Sequence, residues 1–134
     1  MKVLMAELNN WFTELRVGGH RVAEHFLDKG AEIFWYWSPM DIFNIFRDPQ
    51  ITKERFNCLW QRGKTDKQRL KVYTSFLFFP YRRLPFLDSK ELAQINLRYT
   101  FPSLPRVLKK SGFNEIDILW ISNPRLMALT NLLK

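Results

Sequence analysis

The sequence predicts an α/β fold, an open parallel sheet with helices on its flanks. Three observations carry that expectation. Residues 2–8 form a short apolar run, 32–37 a β-rich run, and 117–121 an unbroken apolar run after an acid, as in strands buried on both faces. A helical period separates the first two, so strand, helix and strand follow one another within 37 residues as a βαβ unit. Glycines stand where such a unit turns, with Gly18-Gly19 before the helix and Gly30 after it.

Each element follows in order. The opening run KVLMAEL reads as a central strand. A polar, aromatic loop over 9–16 leads to Gly18-Gly19, where the backbone is free to turn sharply or to approach a ligand. From His20 the pattern is helical: Val22, Ala23, Phe26 and Leu27 share one face, and Arg21, Glu24 and Asp28 point elsewhere. Lys29-Gly30 closes the helix, since lysine suits its negative end and glycine its left-handed cap. EIFWYW at 32–37 is β-rich, stops at Ser38-Pro39, and is expected parallel to the first strand through a right-handed crossover.

The middle is less regular. Residues 40–47 and 53–62 fit short helices or an extended excursion, separated by Pro49, and 63–68 reads as a polar turn. Residues 70–78 alternate as a third strand, with 55–60 as a candidate partner. The segment 80–87 carries two prolines and cannot continue a central strand. Asp88 or Ser89 begins another helix, with Glu91 complementing the dipole in its first turn, and Pro102 breaks or kinks it. Ser103 caps a second piece over 104–111, ended by Gly112. Asp117 then leads a buried parallel strand to Ile121, and Ser122-Asn123-Pro124 turns the chain into a helix over 125–134. This order describes a Rossmann-like sheet that lacks its outer strands. Residues 1–134 are therefore expected to form one truncated domain.

Composition narrows the function classes. Hydrophobic residues make up 46% and charged residues 25%, a globular balance. Lysine and arginine number 21 against 13 acids, a net charge of +8 that suits nucleic acid, an anionic membrane leaflet or a phosphorylated substrate. Like charges never run to five in a row, which argues against a disordered nucleic-acid-binding tail. Cys58 is the one cysteine, so an internal disulfide and a cysteine-based zinc site are excluded, and a buried reduced thiol is the plain reading. Glu7 interrupts the apolar start, so no signal peptide is expected, and no run approaches the ~20 apolar residues that cross a bilayer. The expected location is cytoplasmic, with a peripheral position at the inner face of the membrane as the finer alternative.

In open α/β sheets ligands bind beyond the carboxyl ends of the strands. Two loops are candidates there. In the first, helix amides behind Gly18 and Gly19 form an anion cradle, Arg21 adds a charge-assisted contact, and His20 stands ready as an acid–base or substrate contact; a plain tight turn is the alternative. In the second, Ser122 and Asn123 offer hydrogen bonds to sugar hydroxyls, or simply cap the following helix. Neither GxGxxG nor GxxxxGK[ST] occurs, so no dinucleotide cofactor or Walker loop is expected. His20 and His25 are the only histidines and fall on different helix faces, so no shared metal site and no Ser-His-Asp set is assembled. Within the aromatic-basic stretch 76–87, Phe79, Tyr81, Arg82 and Arg83 would meet lipid headgroups if exposed, or form a strand end and loop under the helices if buried.

Two linked segments resemble a known family. VGGHRVAEHFLDKGAEIFWYW after the opening strand, and VYTSFLFFPYRRLPFL with NLRYTFPSLPRVLKKSGFNEIDILWISNP, are similar to the amino-terminal domain of the glycosyltransferase family 4-like group, the two-Rossmann-domain (GT-B) enzymes. The resemblance spans nearly the whole chain. It implies a nucleotide-sugar donor held mainly by a carboxyl-terminal domain and a glycan or lipid-linked acceptor bound here, with no cofactor or divalent metal required. It further implies that Gly18 and Gly19 approach the donor diphosphate, that Arg21 supports its charge, and that Ser122 and Asn123 face the interdomain cleft. Members with histidine in the last loop have an acid–base candidate there; this chain has Asn123. A stand-alone basic and aromatic module for a membrane surface or nucleic acid is the competing class, and a small enzyme complete in itself ranks last.

Overall fold

A computed structural model of the chain describes residues 1–47, 49–60, 64–77 and 90–133. The opening βαβ unit forms as the pattern predicts: β1 (Lys2–Glu7), α1 (Gly18–Asp28) and β2 (Glu32–Trp37), with the two strands paired in parallel from Lys2↔Glu32 to Glu7↔Trp37. Helix α1 starts at Gly18, two residues ahead of the predicted His20, and rests on the sheet through Ala23 with Val22, Phe26 and Leu27 beside it. Gly30 ends it at φ +81°, a left-handed conformation that costs a side-chain-bearing residue about 1 kcal/mol or more.

Beyond β2 the chain forms β3 (Met40–Asp41), α2 (Ile42–Arg47) and α3 (Pro49–Trp60), then the hairpin of β4 (Lys64–Lys67) and β5 (Leu70–Tyr73). A short β6 (Phe76–Leu77) pairs with β3 in a separate small ladder. Helices α4 (Lys90–Arg98) and α5 (Leu104–Lys110) precede β7 (Ile118–Ile121), and a 3-10 turn (Pro124–Leu126) and α6 (Leu129–Leu132) follow it. The main sheet has the order β4-β5-β2-β1-β7; four strands are parallel, and β4 runs antiparallel on the β5 edge. This is an open, Rossmann-like α/β sheet flanked by helices.

Strand pleating sends alternate residues to opposite faces, and both faces are filled. Leu4, Ala6, Phe34, Tyr36 and Tyr73 meet the helices after β6, through Leu97, Leu104, Leu108 and Leu129. Val3, Met5, Ile33, Trp35 and Val72 meet α1 and α3, through Ala23 and Cys58. Double burial explains the unbroken hydrophobic runs of β1 and β2.

Five expectations need correction. Residues 64–67 are a strand, not a turn: they pair with β5 at the sheet edge, and a run of four polar residues shows no hydrophobic period. The third strand ends at Tyr73 instead of continuing to 78, because Thr74 and Ser75 turn away, both buried, with the Ser75 hydroxyl bonded to that of Tyr36. Its partners are β2 and β4, while residues 55–60 belong to α3, whose Thr52 and Cys58 face inward. Strand β7 is half-buried at the sheet edge, with Trp120 38% exposed, and the predicted last helix is broken into the 3-10 turn and the four-residue α6. Ser103 does stand before α5, where its carbonyl accepts from Val107; no side-chain cap is made. The proline-rich 80–87 segment and the helix start at Asp88 or Ser89 lie outside the described residues.

Candidate functional site

Connections from β1 lead outward to β2 and on to β5, whereas β7 lies on the other side of β1. The strand order therefore reverses between β1 and β7, the place where open α/β sheets hold ligands. Both candidate loops leave this rim. Ala6 stands opposite Ile121, and the Ser122 amide donates to the Ala6 carbonyl at 3.1 Å. The amino end of α1, with Gly18 and Gly19, and the Ser122-Asn123 turn thus lie beyond the carboxyl ends of adjacent parallel strands.

An acid forms the floor between them. Glu7 closes β1 and is only 2% exposed, and its Oε1 accepts from Trp120 Nε1 at 2.9 Å. A β-carbon built on Gly19 would lie 2.6 Å from that same oxygen, so glycine is what lets α1 approach the carboxylate. The amino end of α1 favours negative charge, which suits this placement. Gly18 is different: a β-carbon there meets nothing within 4 Å, and the residue is exposed, as is Arg21.

His20 does not reach the surface of the rim. Fully buried, it is stacked against Trp11 at 5.3 Å between ring centroids and tilted against Trp35 at 4.9 Å. Its Nε2 donates to the Asn10 carbonyl at 2.9 Å, and its Nδ1 accepts from the Val17 amide at 3.3 Å, roles assigned from what each partner is able to do. Both nitrogens are thus occupied by the backbone of the loop. His20 ties the loop to the start of α1, and no ring nitrogen is left for a ligand. On the second loop, Ser122 is exposed with its hydroxyl 3.4 Å from the Ala6 carbonyl, and the carbonyl of half-buried Asn123 accepts from Leu126 to open the 3-10 turn. Phe79, Tyr81, Arg82 and Arg83 lie outside the described residues.

One strand over, the rim carries a cation. Trp37 pairs with Glu7 in register, and the Arg55 guanidinium of α3 lies over its ring, 4.2 Å from the centroid. Arg55 Nη1 donates to the Ser38 carbonyl at 3.0 Å, which the Thr74 hydroxyl also approaches at 3.3 Å. Burial lowers the Arg55 pKa to about 10, against the opposing fields of Asp41 and Cys58. Its Nε is buried with no hydrogen-bond partner, which for such a group costs about 1–3 kcal/mol. Helix α3 is held against the glycine loop by Asn10 donating to Glu54. Neither Glu7 nor Arg55 was picked out from the sequence as a site residue. The signal for Glu7 was present, an acid closing an otherwise apolar strand; Arg55 gave only its helical spacing with Thr52 and Cys58.

Among the described residues, no group of three or more His, Cys, Asp or Glu side chains is gathered for a metal ion, and no helix is long and apolar enough to cross a membrane. No protein-family model, curated protein or solved structure matches the chain.

Proposed function

We propose that this chain is the acceptor-side domain of a two-domain glycosyltransferase, one that moves a sugar from a nucleotide-sugar donor to a glycan or lipid-linked acceptor of the cell-envelope type. The observation that carries the reading is the shared rim: the amino end of α1, with Gly18 and Gly19, and the Ser122-Asn123 turn lie beyond the carboxyl ends of neighbouring parallel strands, on either side of the point where the strand order reverses. Gly19 is accounted for by Glu7, but no protein contact calls for glycine at 18. The open space beside it would leave room for a ligand. Glu7 occupies the inner side of the α1 terminus, so the donor diphosphate would lie outside it, over the Gly18 amide and Arg21. Those groups would stabilise the leaving diphosphate electrostatically, and Ser122 and Asn123 would meet sugar hydroxyls across the cleft. The donor would be held mainly by a second domain, and the chain by itself would be inactive.

The test is an amide-resolved NMR titration of the chain with inorganic pyrophosphate and with nucleotide-sugars. Shifts grouped at Gly18, Gly19, Arg21, Ser122 and Asn123, weakened by Arg21→Ala, are the expected result. Shifts confined to other parts of the fold, or none at millimolar ligand, would overturn it.

A second reading, contact with an anionic membrane surface, draws support from α2. Ile42, Phe43 and Phe46 are exposed on one side of this short helix beside Arg47, and Phe46 is 80% exposed. Apolar side chains at a basic surface suit the headgroup region. Flotation with anionic and neutral vesicles tests this reading: binding must require the anionic lipid and must fall in Phe43→Ser/Phe46→Ser.

A further inference from the structure

The guanidinium of Arg55 carries one buried donor, Nε–H, that the protein leaves unmatched. A guanidinium is a planar fork of five N–H donors, and its Nε–H and adjacent Nη2–H run parallel, spaced to grip two oxygens of one carboxylate or phosphate. In this fold Nη1, on the other side of the fork, donates to Ser38, and one face lies on Trp37. The stack and that hydrogen bond fix the plane of the group. Among the described residues Arg55 Nε is the one buried side-chain nitrogen or oxygen without a partner. Asp41, the acid whose field favours the cation, accepts at Oδ1 from the Phe43 amide. A buried charged donor held in one orientation and left unmatched calls for a reason.

We propose that Arg55 anchors an anion subsite at the carboxyl end of β2, gripping a carboxylate or phosphate group of a ligand through its Nε–Nη2 edge. The inference stands on the unmatched Nε–H and does not rest on the sugar-transfer reading. It adds what that reading lacks, a fixed cation one strand away from Glu7 and on the same rim. Helix α3 meets the sheet along a narrow seam of Thr52, Arg55 and Cys58 while Gln50, Ile51, Lys53, Glu54, Phe56 and Asn57 are exposed.

The experiment follows the Arg55 Nε–Hε signal by NMR in the whole chain, during separate titrations with inorganic phosphate, glucuronate and glucose. An unbonded N–H resonates upfield and moves downfield as it gains an acceptor. The expected result is a saturable downfield shift of Arg55 with phosphate, glucuronate or both, and none with glucose. Whichever anion binds tighter tells a phosphate source from a sugar-acid source. Arg55→Lys keeps the charge but loses the fork, and is expected to weaken the binding about tenfold or more. No Arg55 shift with either anion, an equal shift with glucose, or binding unchanged in Arg55→Lys each overturns the proposal. The wild-type titration needs no variant, so a poorly folded Arg55→Lys does not shield the idea. An NMR response at Gly18 and Arg21 without one at Arg55 would sink this subsite and leave the glycosyltransferase reading intact.

Discussion

Alanine at Gly19 measures how tightly α1 is seated on Glu7. The new β-carbon would stand 2.6 Å from Oε1, 2.8 Å from Cδ and 3.1 Å from Oε2. The carboxylate is not free to swing aside, because it is 2% exposed and bonded by Trp120. Overpacking of this kind costs about 1–3 kcal/mol, and exchanging glycine for alanine in a helix returns up to ~1 kcal/mol. The net expectation is a loss of about 1–2 kcal/mol. Alanine at Gly18 meets nothing within 4 Å, so only the favourable part remains and stability should hold or rise by up to ~1 kcal/mol. Urea unfolding followed by tryptophan fluorescence reads both as shifts in midpoint at constant slope. Combining Gly19→Ala with Glu7→Ala isolates the contact: the double variant should lose less than the sum of the two singles, by about 1 kcal/mol or more. Equal tolerance of alanine at both glycines, or strict additivity in the double variant, would refute the close approach.

Three further outcomes are expected. Trp120→Phe removes the donor to the buried Glu7 carboxylate and should cost about 1–3 kcal/mol in urea unfolding, whereas Phe46→Ser on exposed α2 should change stability by no more than ~0.5 kcal/mol. Burial pushes the Tyr73 hydroxyl above its ordinary value of 10.0, so the unfolded chain ionises first and the folded state loses stability as the pH climbs past that point. Tyr73→Phe should flatten that alkaline loss in pH-dependent unfolding. Arg55 works in the opposite sense: with its pKa lowered by burial to about 10 from its ordinary value, the folded state sheds the proton first, so stability rises as the pH climbs above about 10, and Arg55→Lys should change the rise.

Legibility in the sequence followed the density of burial. KVLMAEL and EIFWYW were readable as parallel strands because both faces of each are covered, and VAEHFL as a helix because its buried side repeats at the helical period. Lys64–Lys67 was unreadable for the converse reason: an edge strand of four polar residues joins the sheet through backbone hydrogen bonds, which hydrophobic patterning does not record. The turn at Thr74-Ser75 was hidden as well, because its polar groups are satisfied by residues far along the chain, Ser38 and Tyr36. At the candidate site the glycine pair was visible but its two members are not equivalent, since the cause of Gly19 lies twelve residues earlier at Glu7. His20 looked reactive by its neighbours in sequence. Its neighbours in space, Trp11, Trp35 and two backbone groups, make it a fastener of the loop.

Opposite charges on adjacent strands give the rim a polarity that bears on any ligand placed there. Glu7 and Trp37 are register partners, and Arg55 lies over Trp37, so a carboxylate and a guanidinium flank one step of the sheet. Each has its own neutral partner: Glu7 accepts from Trp120 and Arg55 donates to Ser38. Two fixed charges held apart by their own separate partners cost less to reorganise when a ligand arrives than two charges already joined in a pair. On the anion subsite proposed above, a ligand would present an oxygen fork to Arg55, while Glu7, packed under Gly19 and bonded by Trp120, would keep its own donor.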